Sequence, residues 1–239
     1  MRQHLFLLKQ LVHHDIRGRY AGSIGGFLWS FAHPLFQLVL FWVAFGVILQ
    51  LKFQLGDLGT DSFAIFLFGG LLPWMAVQEG VNRGATAITD NGTLVQRVRF
   101  PPLLLVLSVV VAALVHEAIA ALVFLVVLAF VGELSIQTLP WLLLALPLQC
   151  ALVLGLAAGL SVLQVFLRDL IQILEMVLMG WFYLTPIVYP LSIVPERLRR
   201  VLELNPLTGL VELYRIAFLG GRIESVPGLW ILFGCAILS

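Results

Sequence analysis

The 239-residue sequence predicts an all-α integral membrane protein. About six transmembrane helices are expected, preceded by an N-terminal amphipathic interface helix, with short re-entrant outer helices before the last span. Three observations predict this. Hydrophobic residues make up 61% of the chain and charged residues 11%, with a mean hydropathy of +1.04; soluble domains are about 45–50% apolar and about 25% charged. Five runs, roughly 27–51, 62–81, 102–131, 139–167 and 170–190, reach in whole or part the about 20 residues a bilayer core requires. Barrel strands, alternating over about ten residues, are absent, and an unpaired backbone group in hydrocarbon is costly, so the runs are expected to be helices. The net charge is only +1 with the basic residues scattered, which gives no reason to expect a nucleic-acid partner.

Residues 1–24 are expected to form the interface helix. Leu5, Leu8, Val12 and Ile16 share one helical side, Gln10, His13, His14 and Arg17 fall opposite, and Lys9 lies at the flank where it can snorkel. A solvated lead-in to the first span is the alternative. No removable signal peptide is expected there, since no long apolar stretch or small-residue cleavage site appears.

Residues 25–190 hold the first five spans, and Lys and Arg near their ends set the orientation. Arg2, Lys9, Arg17 and Arg19 precede the first span, and Arg83, Arg97 and Arg99 lie between the second and third; the 51–61 loop has only Lys52 and the 132–138 loop none. The N-terminus is therefore expected in the cytoplasm. The 191–225 segment disagrees, because it carries Arg197, Arg199, Arg200, Arg215 and Arg222 on the side this topology places outside, interleaved with Glu196, Glu203, Glu212 and Glu224. That segment reads as two short amphipathic helices split at Asn205-Pro206, too charged to span. The last run, 226–239, is short for a span.

Catalytic patterns are missing. "HEAIA" at 116–120 begins like a zinc-protease motif, yet Ala120 stands where the second His is needed, and no metal site is expected. No GxSxG elbow exists, and neither Lys9 nor Lys52 follows a glycine-rich loop, so the chain has no P-loop. Cys150 and Cys235, inside apolar runs, read as small buried hydrophobes. Ionisable residues within spans are few: His116, Glu117, Glu175 and Glu79. His116 and Glu117 point about 100° apart on a helix and are not expected to serve one site together; a helix–helix hydrogen bond stands against a substrate contact.

Four stretches in order carry a family resemblance: "HDIRGRYAGSIGGFLWSFAHPLFQLVLF", "LVQRVRFPPLLL", "FLRDLIQILEMVLMGWFYLTPIVYP" and "ELNPLTGLVELYRIAFLGG". Together, over about residues 4–222, they resemble the permease subunits of type-2 ABC exporters that move lipid-linked polysaccharides such as O-antigen, capsule or teichoic acid. The resemblance implies a single permease domain over 1–239 in a bacterial plasma (inner) membrane, working as a homodimer with two copies of a nucleotide-binding subunit. ATP and Mg would bind that partner, with no cofactor on this chain. The cargo implied is a lipid-linked glycan, amid membrane lipids. A type-2 exporter of lipids or drugs and a membrane-embedded transferase are the rivals.

Within this reading, "NGTLVQRVRFPP" is expected to be the ATPase-coupling element. Asn91-Gly92 releases the preceding helix and Pro101-Pro102 blocks continuation, leaving room for two turns. Leu94, Val95 and Val98 would supply an apolar docking side and Arg97 and Arg99 forks for partner carboxylates; Phe100 belongs to the same coupling element, with Arg17 and Arg19 on the same membrane face. A plain topology signal is the alternative. Arg168 and Asp169 mark the cytoplasmic start of the fifth helix, where Asp169 and Gln172 resemble a capping box. Asn205, Pro206, Tyr214 and Arg215 belong to outer helices that the resemblance places at an outer gate. Phe41 and Trp42, with Trp181, Phe182, Tyr183 and Tyr189, are candidates for an aromatic translocation path on which sugar rings stack; lipid-facing packing is the other reading of Trp42 and Phe182.

Overall fold

The computed structural model describes residues 2–20, 25–49, 60–97, 100–220 and 226–238. Most of these residues are helical, with no strand among them. Helix α1 (Arg2–Tyr20) precedes α2 (Trp29–Phe41), which continues as a π-helical stretch over Trp42–Ile48. Next come α3 (Phe63–Asp90), the short α4 (Gly92–Arg97), α5 (Leu103–Val131) and α6 (Leu142–Phe166, after a 3₁₀ turn at Leu139–Trp141). The chain ends with α7 (Leu170–Tyr183), α8 (Glu196–Glu203), α9 (Pro206–Leu219) and α10 (Val226–Leu238).

Four helices are long and apolar enough to cross a membrane: Trp29–Ile48, Phe63–Asp90, Leu103–Val131 and Leu139–Phe166. Two expected spans are shorter. The 170–190 run is helical only through Tyr183, because Pro186 and Pro190 cannot donate backbone hydrogen bonds and the chain leaves the helix in a series of turns. At 14 residues α7 rises about 21 Å, below the about 30 Å hydrocarbon thickness. Helix α10 has 13 residues.

The middle of the bundle is α3, buried along most of its length by α5, α6 and α9. Small residues permit this approach. Gly80 and Gly84 stand one turn apart, and a Cβ at Gly80 would lie 2.6 Å from Val153 Cγ1, one at Gly84 2.6 Å from Ala157 Cβ. The small-xxx-small spacing packs α3 onto α6 without a gap. Val153 can change rotamer, whereas the methyl of Ala157 is fixed to the backbone. Gly84→Ala is therefore expected to lower the thermal midpoint of the purified protein well below that of Gly80→Ala; equal midpoints would contradict this packing.

The N-terminal helix bears out its predicted sidedness. Leu8, Val12 and Ile16 are partly buried, with α1 lying against α5, while Lys9, Gln10, His13, His14 and Arg17 are exposed; the side chain of Leu5 lies outside the described residues. The cap at α7 differs from expectation. Asp169 occupies the N-cap position with φ −86° and ψ 3° and makes no side-chain cap bond. Its backbone has already turned toward helical values, so the carboxylate does not adopt the reach that an extended N-cap provides.

The segment after α7 forms the two short helices expected, split at Asn205-Pro206, and they differ in burial. Helix α8 is amphipathic, with Leu202 buried and its charges paired along one face: Arg199 Nε to Glu203 Oε1 at 2.9 Å and Arg200 Nη2 to Glu196 Oε1 at 2.8 Å. Helix α9 is enclosed instead. Every residue from Leu207 to Leu219 is buried, Glu212 and Arg215 included. Gly209 sets its contact with α10, since a Cβ there would fall 2.5 Å from the carbonyl of Gly228. Pairing within α8 and burial of Arg215 give a physical reason why this arginine-rich stretch resists a simple charge count; Arg222 lies outside the described residues.

Candidate functional site

Two of the sequence motifs meet where α7 ends. Leaving the helix at Tyr183 frees carbonyls that α9 then satisfies. Arg215 donates from Nη1 to the carbonyl of Pro186 at 2.8 Å, from Nη2 to Ile187 at 2.7 Å and from Nε to Phe66 at 3.3 Å, its guanidinium 3.6 Å from the centre of the Phe66 ring. Asn205 completes the lock. Its Nδ2 donates to the carbonyl of Leu184 at 3.2 Å and to Thr185 Oγ1 at 2.9 Å, and its Oδ1 accepts from Trp181 Nε1 at 2.9 Å and from the Leu207 amide at 3.0 Å. Asn205 is thus the N-cap of α9, with Pro206 at the first helical position. Glycine is required opposite: a Cβ on Gly70 would sit 2.7 Å from Arg215 Nη2. The broken end of α7 is in this way fixed to α9 and α3.

Tyr214, beside Arg215, faces a second network in the bundle centre. Its hydroxyl donates to Gln149 Oε1, while Gln149 Nε2 donates to Glu117 Oε2 at 2.8 Å and to the Pro73 carbonyl at 3.2 Å. Four helices, α3, α5, α6 and α9, meet on one amide. For Glu117 the helix–helix hydrogen bond is therefore what the structure shows. The angular argument separating His116 from Glu117 does not hold: both border one cavity of about 1000 Å³ between α2, α3 and α5, wide enough to span the offset between adjacent helical positions. His116 Nδ1 lies 3.4 Å from the Ala112 carbonyl.

The N-terminal motif reaches α3 through its aspartate. Asp15 pairs with both terminal nitrogens of Arg83, and Arg83 Nη1 also contacts Glu79 Oε1 at 3.2 Å. A planar guanidinium takes a carboxylate two bonds at a time, which orients α1 as well as holding it. Motion of α1 is thereby tied to the C-terminal half of α3.

The expected coupling residues divide. Asn91 caps α3 and α4 follows at once, with Pro102 directly before α5, as the turn signals predicted. Leu94, Val95 and Phe100 are half-buried, packed against the protein's own core. Arg97 and Arg17 are exposed, whereas Val98, Arg99 and the side chain of Arg19 lie outside the described residues. Arg168 and Asp169 are exposed at the start of α7.

The aromatic candidates also divide. Trp42 and Tyr183 are exposed, at 56% and 61%, while Phe41, Trp181 and Phe182 are partly buried against the core. Phe182 lies 5.5 Å from the Trp74 ring, and Tyr189 donates its hydroxyl to the Tyr183 carbonyl at 2.8 Å. The α2 aromatics join the core separately, through Phe45 against Phe63 at 5.0 Å.

Sequence reasoning missed Asp15, Gln149 and the clamp made by Arg215. Gln149 had a signal, being the one polar side chain with two donors and an acceptor in the middle of the 139–167 run. Asp15 had none apart from its place in the N-terminal motif.

The ABC-2 type transporter family matches residues 7–219. The chain is 31% identical over 238 residues to the O-antigen export system permease protein RfbA of Myxococcus xanthus, covering 99% of this chain and 89% of that protein. It is 26% identical over 222 residues to an O-antigen export system permease protein RfbA of Klebsiella pneumoniae, covering 91% and 82%. Against the polysialic acid transport protein KpsM of Escherichia coli, identity is 26% over 215 residues, covering 88% and 80%. With four helices of membrane-crossing length and a match over most of its length, this chain belongs to the ABC-2 type transporter family: a multi-pass transport permease, not an enzyme, whose partner is an ATP-binding subunit.

Proposed function

We propose that this chain is the membrane subunit of an ATP-driven exporter that carries a lipid-linked polysaccharide, of the O-antigen or capsule kind, across a bacterial plasma membrane. The observation that carries this is the 31% identity, over nearly the whole chain, to an O-antigen export permease. The working unit is a homodimer with two ATP-binding subunits that hold ATP and Mg, and the N-terminus faces the cytoplasm. Exposed Arg97, at the end of α4, and Arg17 on α1 stand on the face where such a subunit docks. Its pull on α1 passes to α3 through Asp15 and Arg83.

Export itself tests the reading. A strain lacking this chain is expected to retain its surface polysaccharide inside, and the intact chain to restore it to the surface. Trp42→Ala is expected to lower export severalfold at normal protein yield, because an exposed ring contributes area for sugar stacking and little to the core. Phe182→Ala is expected to lower yield as well, through loss of its contact with Trp74. Normal export by Trp42→Ala would assign that ring to lipid-facing packing.

A further inference from the structure

The cavity between α2, α3 and α5 lies outside the α7–α9 lock. Its wall is apolar along Leu35, Leu40, Leu72 and Met75, and its polar groups are Ser30, His33, Gln37, Glu79, His116 and Glu117. Trp29 stands at its edge, its ring 5.5 Å from that of His33 in a T-shaped contact. Two of the polar groups are almost fully buried and incompletely used. Ser30 and Glu117 are each 4% exposed, and Ser30 Oγ and Glu117 Oε1 have no hydrogen-bond partner among the described residues. A buried polar atom without a partner costs about 1–3 kcal/mol, so a pair bordering one empty space points to a ligand that pairs with them.

The lining selects the ligand's chemistry. It contains hydroxyl, amide, imidazole and carboxyl groups, and no Lys or Arg among the described residues that border it. A phosphate head would meet two carboxyl groups and no Lys or Arg on the lining to pair with it. A cation would find those carboxyls already engaged, Glu79 with Arg83 and Glu117 with Gln149. Neutral sugar hydroxyls both donate and accept, which suits Ser30 and Glu117, and an indole at the rim offers a face for a pyranose ring. The apolar wall along α2 suits an alkyl chain. The volume is at the upper end for a small-molecule pocket, about 300–1000 Å³.

We propose that this cavity binds an amphiphile with an uncharged sugar head, the head beside Ser30 and Glu117 and the tail along α2. The chemistry is argued from the lining; the polysaccharide reading above supplies only a source for such glycolipids. Three probes share one tail and differ in head: octyl glucoside, octyl phosphate and octyltrimethylammonium. Each is titrated against the full chain in an amphipathic polymer, and bound copies are counted by native mass spectrometry. The glucoside is expected to bind at one copy per chain, at least about tenfold more tightly than the other two, on the basis of one or two hydrogen bonds. Ser30→Ala and Glu117→Gln are each expected to weaken it about fivefold, and Ala32→Trp, an exposed position on the cavity wall, to abolish it. Equal binding of all three probes, preference for a charged head, or full binding by Ala32→Trp overturns the proposal. Should Ala32→Trp fail to fold, Ser30→Ala decides alone, since it removes one atom. Export without glucoside binding would reject the cavity site and spare the exporter reading; binding without export would do the reverse.

Discussion

Arg215→Leu is expected to lower the thermal midpoint of the purified protein by roughly 10 °C and to make the end of α7 accessible to protease. The carbonyls of Pro186 and Ile187 lie in the turn beyond α7, and Arg215 donates to both at 2.8 and 2.7 Å. Leaving two buried carbonyls unpaired costs about 2–6 kcal/mol, part of which is offset because the guanidinium no longer has to be desolvated. The Phe66 carbonyl lies inside α3 and matters less, although the ring also loses its cation contact. Arg215→Lys keeps the charge without the flat fork and should fall between. A wild-type midpoint for Arg215→Leu would show that this residue does not fix the broken helix.

The second large effect is expected at Gln149. Its replacement by Leu removes the donor to Glu117, the acceptor for Tyr214 and the donor to the Pro73 carbonyl in one step. All three groups are buried on different helices, and the expected loss is about 2–5 kcal/mol. Removing Glu117 as well changes the sign of the next step. In Gln149→Leu/Glu117→Leu the unpaired carboxyl is gone and two apolar side chains face each other, so the double variant should melt above Gln149→Leu alone. A double variant that melts lower, by the sum of the two single losses, would show that these side chains act independently.

What could be read from sequence follows the physics of each feature. Long apolar runs declare themselves by composition, and four of them became helices of spanning length. Pro186 and Pro190 announced the break in α7, but not how early it comes; that depends on Asn205 and Arg215, both more than twenty residues beyond Tyr183. Helix α9 reads as amphipathic because it carries Glu212 and Arg215, and Arg215 can be buried because its acceptors lie on α3 and in the turn beyond α7. Local pattern cannot show distant partners. The same holds for Asp15 and Arg83, 68 positions apart. Leu94 and Val95 were legible as an apolar side, while the choice between the protein's own core and a partner's groove is a tertiary matter.

The central claim, a permease driven by a separate ATP-binding subunit, is tested most directly by ATP hydrolysis measured on this chain purified alone and again with that subunit. The sequence holds no P-loop, so the chain alone is expected to hydrolyse nothing above background, and the reconstituted complex to hydrolyse ATP with a rate that glycolipid alters. Robust hydrolysis by the lone chain, with any ATP-binding partner excluded by mass spectrometry, would contradict the account.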